Sequence, residues 1–219
     1  MKETVHILNG QAMYNYFKKI NFLEQELMIP FNEAMCYGET CIDLFSQEFI
    51  ELRASVHEVT PEQYSEVVLE PLKPFLDGNF ERVILWFDTD MFCQINLLTI
   101  LAWLDHSNYQ GQTTLHLVGD NFEIIHNINL EVKGYETLFK QVLINKESPE
   151  HIEPVCLKKG VNLYLNYLNH DSDIMKFIQD NEHVQVKELV FLLLKKFKEY
   201  GLGDRQYVKM IESYREKYS

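Results

Sequence analysis

Apolar and polar positions follow two spacings in the first half of the chain, one strand-like and one helical. Residues 5–8 form a short apolar run closed by Asn9-Gly10, and residues 11–19 then carry Met13, Tyr16 and Phe17 at helical spacing. This predicts a strand and then a helix. Residues 26–30 give a second strand, cut off by Pro30, which cannot donate to a sheet ladder. A loop with Gly38 as its hinge occupies 31–42. Helices are predicted over 43–56 and 61–76, because Thr60 supplies a cap and Pro61 suits the first helical position; Gly78 ends the second.

Residues 82–87 are continuously apolar, as expected of a strand covered on both faces. The helix predicted over 90–105 is apolar nearly all round and should be buried too. Residues 114–118 make a fourth strand, closed by Gly119-Asp120. Strands alternating with helices imply right-handed crossovers. The expected fold is therefore α/β, with a mainly parallel, doubly wound sheet of four to five strands, Rossmann-like or flavodoxin-like. Strict alternation over 122–132 adds a half-exposed edge strand. After Gly134 only helices are predicted, over 135–144, 154–169, 172–179, 186–200 and 204–218. The chain thus divides into an α/β unit, 1–132, and a smaller helical unit, 133–219, joined by a link short enough to favour tight docking.

With 46% hydrophobic residues the chain has ample apolar surface to offset the entropy of ordering, which excludes a disordered protein. It has no run of about 18 apolar residues and its start lacks the layout of a signal peptide, so it reads as cytoplasmic with no membrane partner. Cys36, Cys41, Cys93 and Cys156 lack C-x-x-C spacing and are expected as free thiols. Charge is uneven. Residues 1–122 hold 6 Lys+Arg against 18 Asp+Glu, and residues 123–219 hold 14 against 15. An acidic front half repels phosphate backbones and acidic lipid surfaces. Cations, metals, neutral ligands or a basic protein face suit it better, although solubility alone also accounts for the charge.

Three separated stretches carry a resemblance. They are His6-Ile7-Leu8-Asn9-Gly10, then Phe31-Asn32-Glu33-Ala34-Met35-Cys36-Tyr37-Gly38, then Leu85-Trp86-Phe87-Asp88-Thr89-Asp90-Met91-Phe92-Cys93-Gln94 followed by a Leu-rich helix. Together they resemble a bacterial family known as domain of unknown function 1835, over most of residues 4–120 and loosely through Gly201-Leu202-Gly203. Where that family usually has an acid, an Arg and a Pro, this chain has Gln11, Asn32 and Glu39. The departures imply a different ligand or none, and the family name carries no activity.

The candidate site lies where strand 82–87 ends in Asp88 and Asp90 and turns into the apolar helix. Open α/β sheets receive ligands at the carboxyl ends of their strands, at a topological switch point. Asn9-Gly10, the loop carrying Glu33 and Gly38, and Asp120 should open at the same edge, with Arg53 reaching in as a cation. Asp88, Asp90 and Glu33 form the expected catalytic set, and Asp88 and Asp90 would suit a divalent cation such as magnesium, which takes carboxylate oxygens. Asn9, Gly10, Gln11, Gly38, Arg53, Trp86, Gln94 and Asp120 complete the expected ligand-binding set for a small molecule. Helix capping is the competing account of Asp90, since an Asp there satisfies free backbone N–H groups without any function. No G-x-G-x-x-G, G-K-[ST], G-x-S-x-G or H-E-x-x-H occurs, which argues against dinucleotide sites and common hydrolases. His6 and His116, inside apolar strands, read as satisfied core residues.

Two functions follow, with enzyme and non-enzyme both open. In the first, the chain binds a small polar ligand at the sheet edge, as a hydrolase or transferase. In the second it is a regulatory or interaction protein of transcription-regulator type, because 186–200, Gly201-Leu202-Gly203 and 204–218 have the layout of a helix-turn-helix, with Lys195, Lys196, Lys198, Arg205, Lys209, Arg215 and Lys217 available to phosphates. Residues 186–219 hold 8 basic against 5 acidic side chains, a balance of only +3 that disfavours nucleic acid.

Overall fold

A computed structural model describes residues 4–218. Five strands, β1 (Thr4–Leu8), β2 (Leu27–Pro30), β3 (Arg82–Phe87), β4 (Gln112–Val118) and β5 (Ile124–Leu130), form one sheet in the order β2-β1-β3-β4-β5. The first four are parallel, and β5 is an antiparallel edge, with Ile128 opposite Leu115. This is the doubly wound α/β fold in its flavodoxin-like strand order. The chain first moves one way from β1 to β2 and then the other way to β3. The switch point therefore lies between β1 and β3, with Leu8 in register with Trp86.

The right-handed crossovers distribute the helices. Helix α1 (Gln11–Lys19) covers one face, where Met13 and Phe17 pack on Leu8, Met28, Trp86 and Val118. The other face carries α2 (Gln47–His57), α3 (Pro61–Tyr64), α4 (Glu70–Leu76) and α5 (Met91–His106). The helix expected over 61–76 is interrupted by a π-helical turn at Ser65–Leu69. Pro71 explains it, since it cannot donate to the Val67 carbonyl four residues back and its ring crowds that carbonyl. Helix α2 begins later than expected because the Ser46 side chain caps it by accepting from the Phe49 N–H.

The rest of the chain is helical: α6 (Tyr135–Phe139), α7 (Val155–Tyr167), α8 (Asp173–Asp180), α9 (Val186–Lys196) and α10 (Asp204–Tyr218). Helices α6 and α7 pack on the outer side of α5, which is why α5 is apolar all round, and α10 packs on α9 and α8. One continuous hydrophobic core runs from Val5, Ile7 and Leu85 through Leu97 and Leu101 to Val161, Leu189 and Ile211, so the helical unit shares the core of the sheet unit. No described helix is long and apolar enough to cross a membrane.

Gly160 is where α7 approaches α5 most closely. A Cβ there would lie 2.3 Å from Gln94 Cβ, a rigid contact in a packed interface. Gly160→Ala gains up to about 1 kcal/mol of helix propensity but must push the helices apart, a strain of typically about 1–3 kcal/mol. We expect a net loss of about 1–2 kcal/mol in urea unfolding; a more stable variant would show that the two helices separate freely.

Candidate ligand site at the sheet edge

The loops that follow β1, β2 and β3 meet at the carboxyl edge, held together by a polar side chain from the middle of α5. Asn96 is fully buried. Its Nδ2 donates to the Asn9 side chain at 3.1 Å and to the Glu33 carbonyl at 2.6 Å, and its Oδ1 accepts from the Met35 N–H at 3.0 Å. One residue thus ties the first loop to the second. Asn9 also donates to Cys93 Sγ at 2.7 Å.

Glu33 lies beneath these loops at the centre of a buried cluster. Its Oε1 accepts from its neighbour's N–H at Ala34 (2.7 Å), from Arg53 Nη2 (2.8 Å) and from His57 Nε2 (2.6 Å), and its Oε2 accepts from the Tyr64 hydroxyl. Burial pushes this carboxyl up, but the His57 hydrogen bond and the Arg53 charge outweigh it and hold Glu33 at about 2. Arg53, equally buried, also donates to the carbonyls of Ala34, Tyr37 and Glu39, at 3.0, 2.7 and 2.8 Å. It fastens the entire loop after β2 to α2. Gly38, with φ +71 and no room for a Cβ beside Val56, lets the loop turn there.

Asp88 and Asp90 are engaged locally. Asp90 caps α5, its Oδ1 accepting from the Cys93 N–H at 2.7 Å and its Oδ2 from the Cys93 thiol at 3.3 Å. Asp88 accepts from the N–H of Thr89, and its carbonyl accepts from Gln94 Nε2 at 2.6 Å. Gln94 is fully buried, and its Oε1 has no partner. Burial and the nearby Asp88 charge push Asp90 up to about 6, against the two Cys93 donors. Gly201, at φ +63, closes over this carboxylate so tightly that a Cβ would sit 2.5 Å from it.

The expected convergence of Asp88, Asp90 and Glu33 is not what the structure contains. Glu33 faces inward to Arg53, whereas the two aspartates serve backbone donors of their own turn. Among the described residues no three His, Cys, Asp or Glu side chains are grouped to hold a metal ion. Trp86 faces the α1 side, where its indole N–H donates to His6 Nδ1 at 3.0 Å, and Asp120 is exposed in the turn between β4 and β5. The thiols offer no ready nucleophile at this edge, since burial pushes Cys36 up to about 12 and Cys93 well above its ordinary range.

What the edge does contain is a cavity of about 370 Å³. Gly10 and Gln11 border it at the start of α1, as do Asn32, Glu33 and Tyr37 from the second loop, His57 from the end of α2, and Arg205, Gln206 and Lys209 from α10. Arg205 and Lys209 bind Glu58 at 3.3 and 2.5 Å, and Lys209 also lies 5.5 Å from the centre of the Tyr37 ring. Asn9, Arg53 and Gln94 stand behind the cavity rather than on its wall.

Sequence reasoning did not find Asn96, His57 or Tyr64. Asn96 had a visible signal, being an amide inside an otherwise apolar helix. His57 lies one helical turn after Arg53, which is a weaker one. Tyr64 had none. Arg205 and Lys209 were noticed for their charge, but not as part of the sheet edge.

Fold and cavity together define a doubly wound α/β protein whose switch-point edge is bordered by Arg205 and Lys209 of α10. No family model, curated protein or solved structure matches the chain.

Proposed function

We propose that the chain binds a small anionic molecule, such as a phosphate ester or a carboxylate, in the cavity between the sheet edge and α10. The observation that carries this reading is the placement of Arg205 and Lys209, one helical turn apart, on the wall of a cavity of small-ligand size at the switch point. Within an acidic chain these are the cations that the site itself provides. Glu58 now occupies both of them, and as an exposed carboxylate it stands where a ligand's anionic group would sit. Surface ion pairs of this kind contribute little, so an incoming dianion can displace it.

The reading gives the three sequence stretches one shared task. Asn9-Gly10, the loop around Glu33 and the start of α5 shape and brace the cavity rather than perform chemistry at a shared metal. Nucleic acid is not proposed: two of the α10 cations face Glu58, and Tyr207 and Ile211 of that helix are buried.

The test is a thermal-shift screen with inorganic phosphate, pyrophosphate, propyl phosphate and citrate. A ligand of the native state raises its melting temperature. At least one anion should raise it by several degrees in the parent, more in Glu58→Gln and not at all in the Arg205→Ala, Lys209→Ala double variant. Shifts that persist in the double variant would place the anion elsewhere.

A further inference from the structure

His57 borders the cavity, yet one of its ring nitrogens is already committed. Nε2 lies 2.6 Å from the buried Glu33 carboxylate, which is fully enclosed, while the imidazole is 29% exposed. Three further contacts fix this geometry. Tyr64 holds the other Glu33 oxygen and stacks on the imidazole, with ring centres 6.1 Å apart and planes 19° apart. Arg53 Nη2 holds the shared oxygen at 2.8 Å.

A carboxylate held ionised can only accept, so the ring nitrogen bonded to it, Nε2, carries a proton in every form of the imidazole, including the neutral one. Nδ1 is then a pure acceptor. It has no hydrogen-bond partner among the described residues. Glu58 follows His57 directly and reaches both Arg205 and Lys209. His57, Arg205 and Lys209 border the same cavity of about 370 Å³, a volume suited to one small molecule.

We propose that His57 makes this cavity selective for hydroxyl-bearing anions: Nδ1 accepts a hydrogen bond from the ligand's hydroxyl while Arg205 and Lys209 hold its phosphate or carboxylate. The inference rests on the anion-binding reading above and names the class of ligand within it. The physical basis is that a polar group built to meet a hydroxyl rejects the analogue lacking it, because the site's acceptor is then desolvated without a partner. Glu33 acts through His57 as a positioning residue, setting which nitrogen faces the ligand.

Glycerol phosphate and propyl phosphate carry the same anionic group and differ in their hydroxyls, so their affinities, measured by calorimetry on the full chain, separate the two claims. Binding of propyl phosphate tests the cation pair alone, and the ratio of the two affinities tests His57. In the parent, glycerol phosphate should bind about tenfold tighter. In His57→Phe, which keeps a ring of similar shape, the two should bind within about twofold of each other. Equal binding in the parent, or a ratio retained in His57→Phe, overturns the role of His57 and leaves the anion site standing. Binding of neither ester overturns both. The tautomer can be read without any variant: the ¹⁵N spectrum of His57 should show the proton on Nε2, and a neutral ring protonated at Nδ1 would remove the acceptor on which the inference depends.

Discussion

Glu33→Gln is expected to lower the unfolding free energy by about 3–5 kcal/mol at pH 7, the loss typical of breaking a buried ion pair from one side. The substitution hardly changes volume. It removes the negative charge from a pocket that also holds the fully buried Arg53, and a guanidinium left there unpaired must bear its own desolvation. Its remaining bonds to the carbonyls of Ala34, Tyr37 and Glu39 satisfy donors but neutralise nothing. The pH dependence gives an independent check. Glu33 titrates at about 2 in the folded chain against an ordinary 4.5, so its contribution is complete above about 4.5 and disappears as pH falls towards 2. The gap between parent and variant in urea unfolding should therefore narrow by about 2 kcal/mol at pH 3. Equal stability at pH 7 would mean that the ion pair braces nothing.

This expectation separates two uses of a buried carboxylate. A carboxylate poised for catalysis or for a metal needs a free lone pair and a path to the substrate. Both Glu33 oxygens already accept, one from Ala34, Arg53 and His57 and the other from Tyr64. The cluster instead makes the loop after β2 rigid, and through His57 it sets one wall of the cavity. Preorganisation of this kind limits the ordering entropy that a small ligand must otherwise overcome on binding.

The sheet was legible because its signals are local. Apolar runs at 5–8, 26–30 and 82–87, each closed by a turn or a helix start, correspond to β1, β2 and β3, and the alternation over 122–132 foretold an exposed edge at β5. The edge that bears the cavity followed from topology, since parallel strands joined by helices bring Asn9-Gly10 beside Asp88. The partners of the site residues were not legible. Glu33 meets Arg53, His57 and Tyr64 across 20 to 31 residues, and Asn96 meets Asn9 across 87. Such pairings depend on tertiary packing, which periodicity does not encode. The π-helical turn at Ser65–Leu69 was also missed: Pro71 was there to be read, but helical spacing of apolar residues was the stronger pattern.

Asp90→Asn should stabilise the protein at neutral pH, by an amount on the order of 2–3 kcal/mol. Asparagine is as good a helix cap as aspartate, so the bond to the Cys93 N–H survives. What changes is the charge. Asp90 titrates at about 6 in the folded chain against 3.8 ordinarily, because burial beside Gly201 and the Asp88 charge disfavour its ionised form. A carboxyl whose folded pKa is raised binds its proton more tightly in the native state than in the unfolded one. Stability therefore falls as pH rises from about 4 to 6, and the full penalty is present above 6. Parent and variant should be nearly equal at pH 4 and differ most at pH 7–8. If Asp90 served only as a cap, its charge would be favoured by the helix N-terminus and the variant would be slightly less stable at neutral pH. The sign of one unfolding measurement thus decides between the two accounts. A stabilising result would identify a carboxylate held under electrostatic strain at the carboxyl end of β3, and strain of that sort is characteristic of residues with a task other than folding.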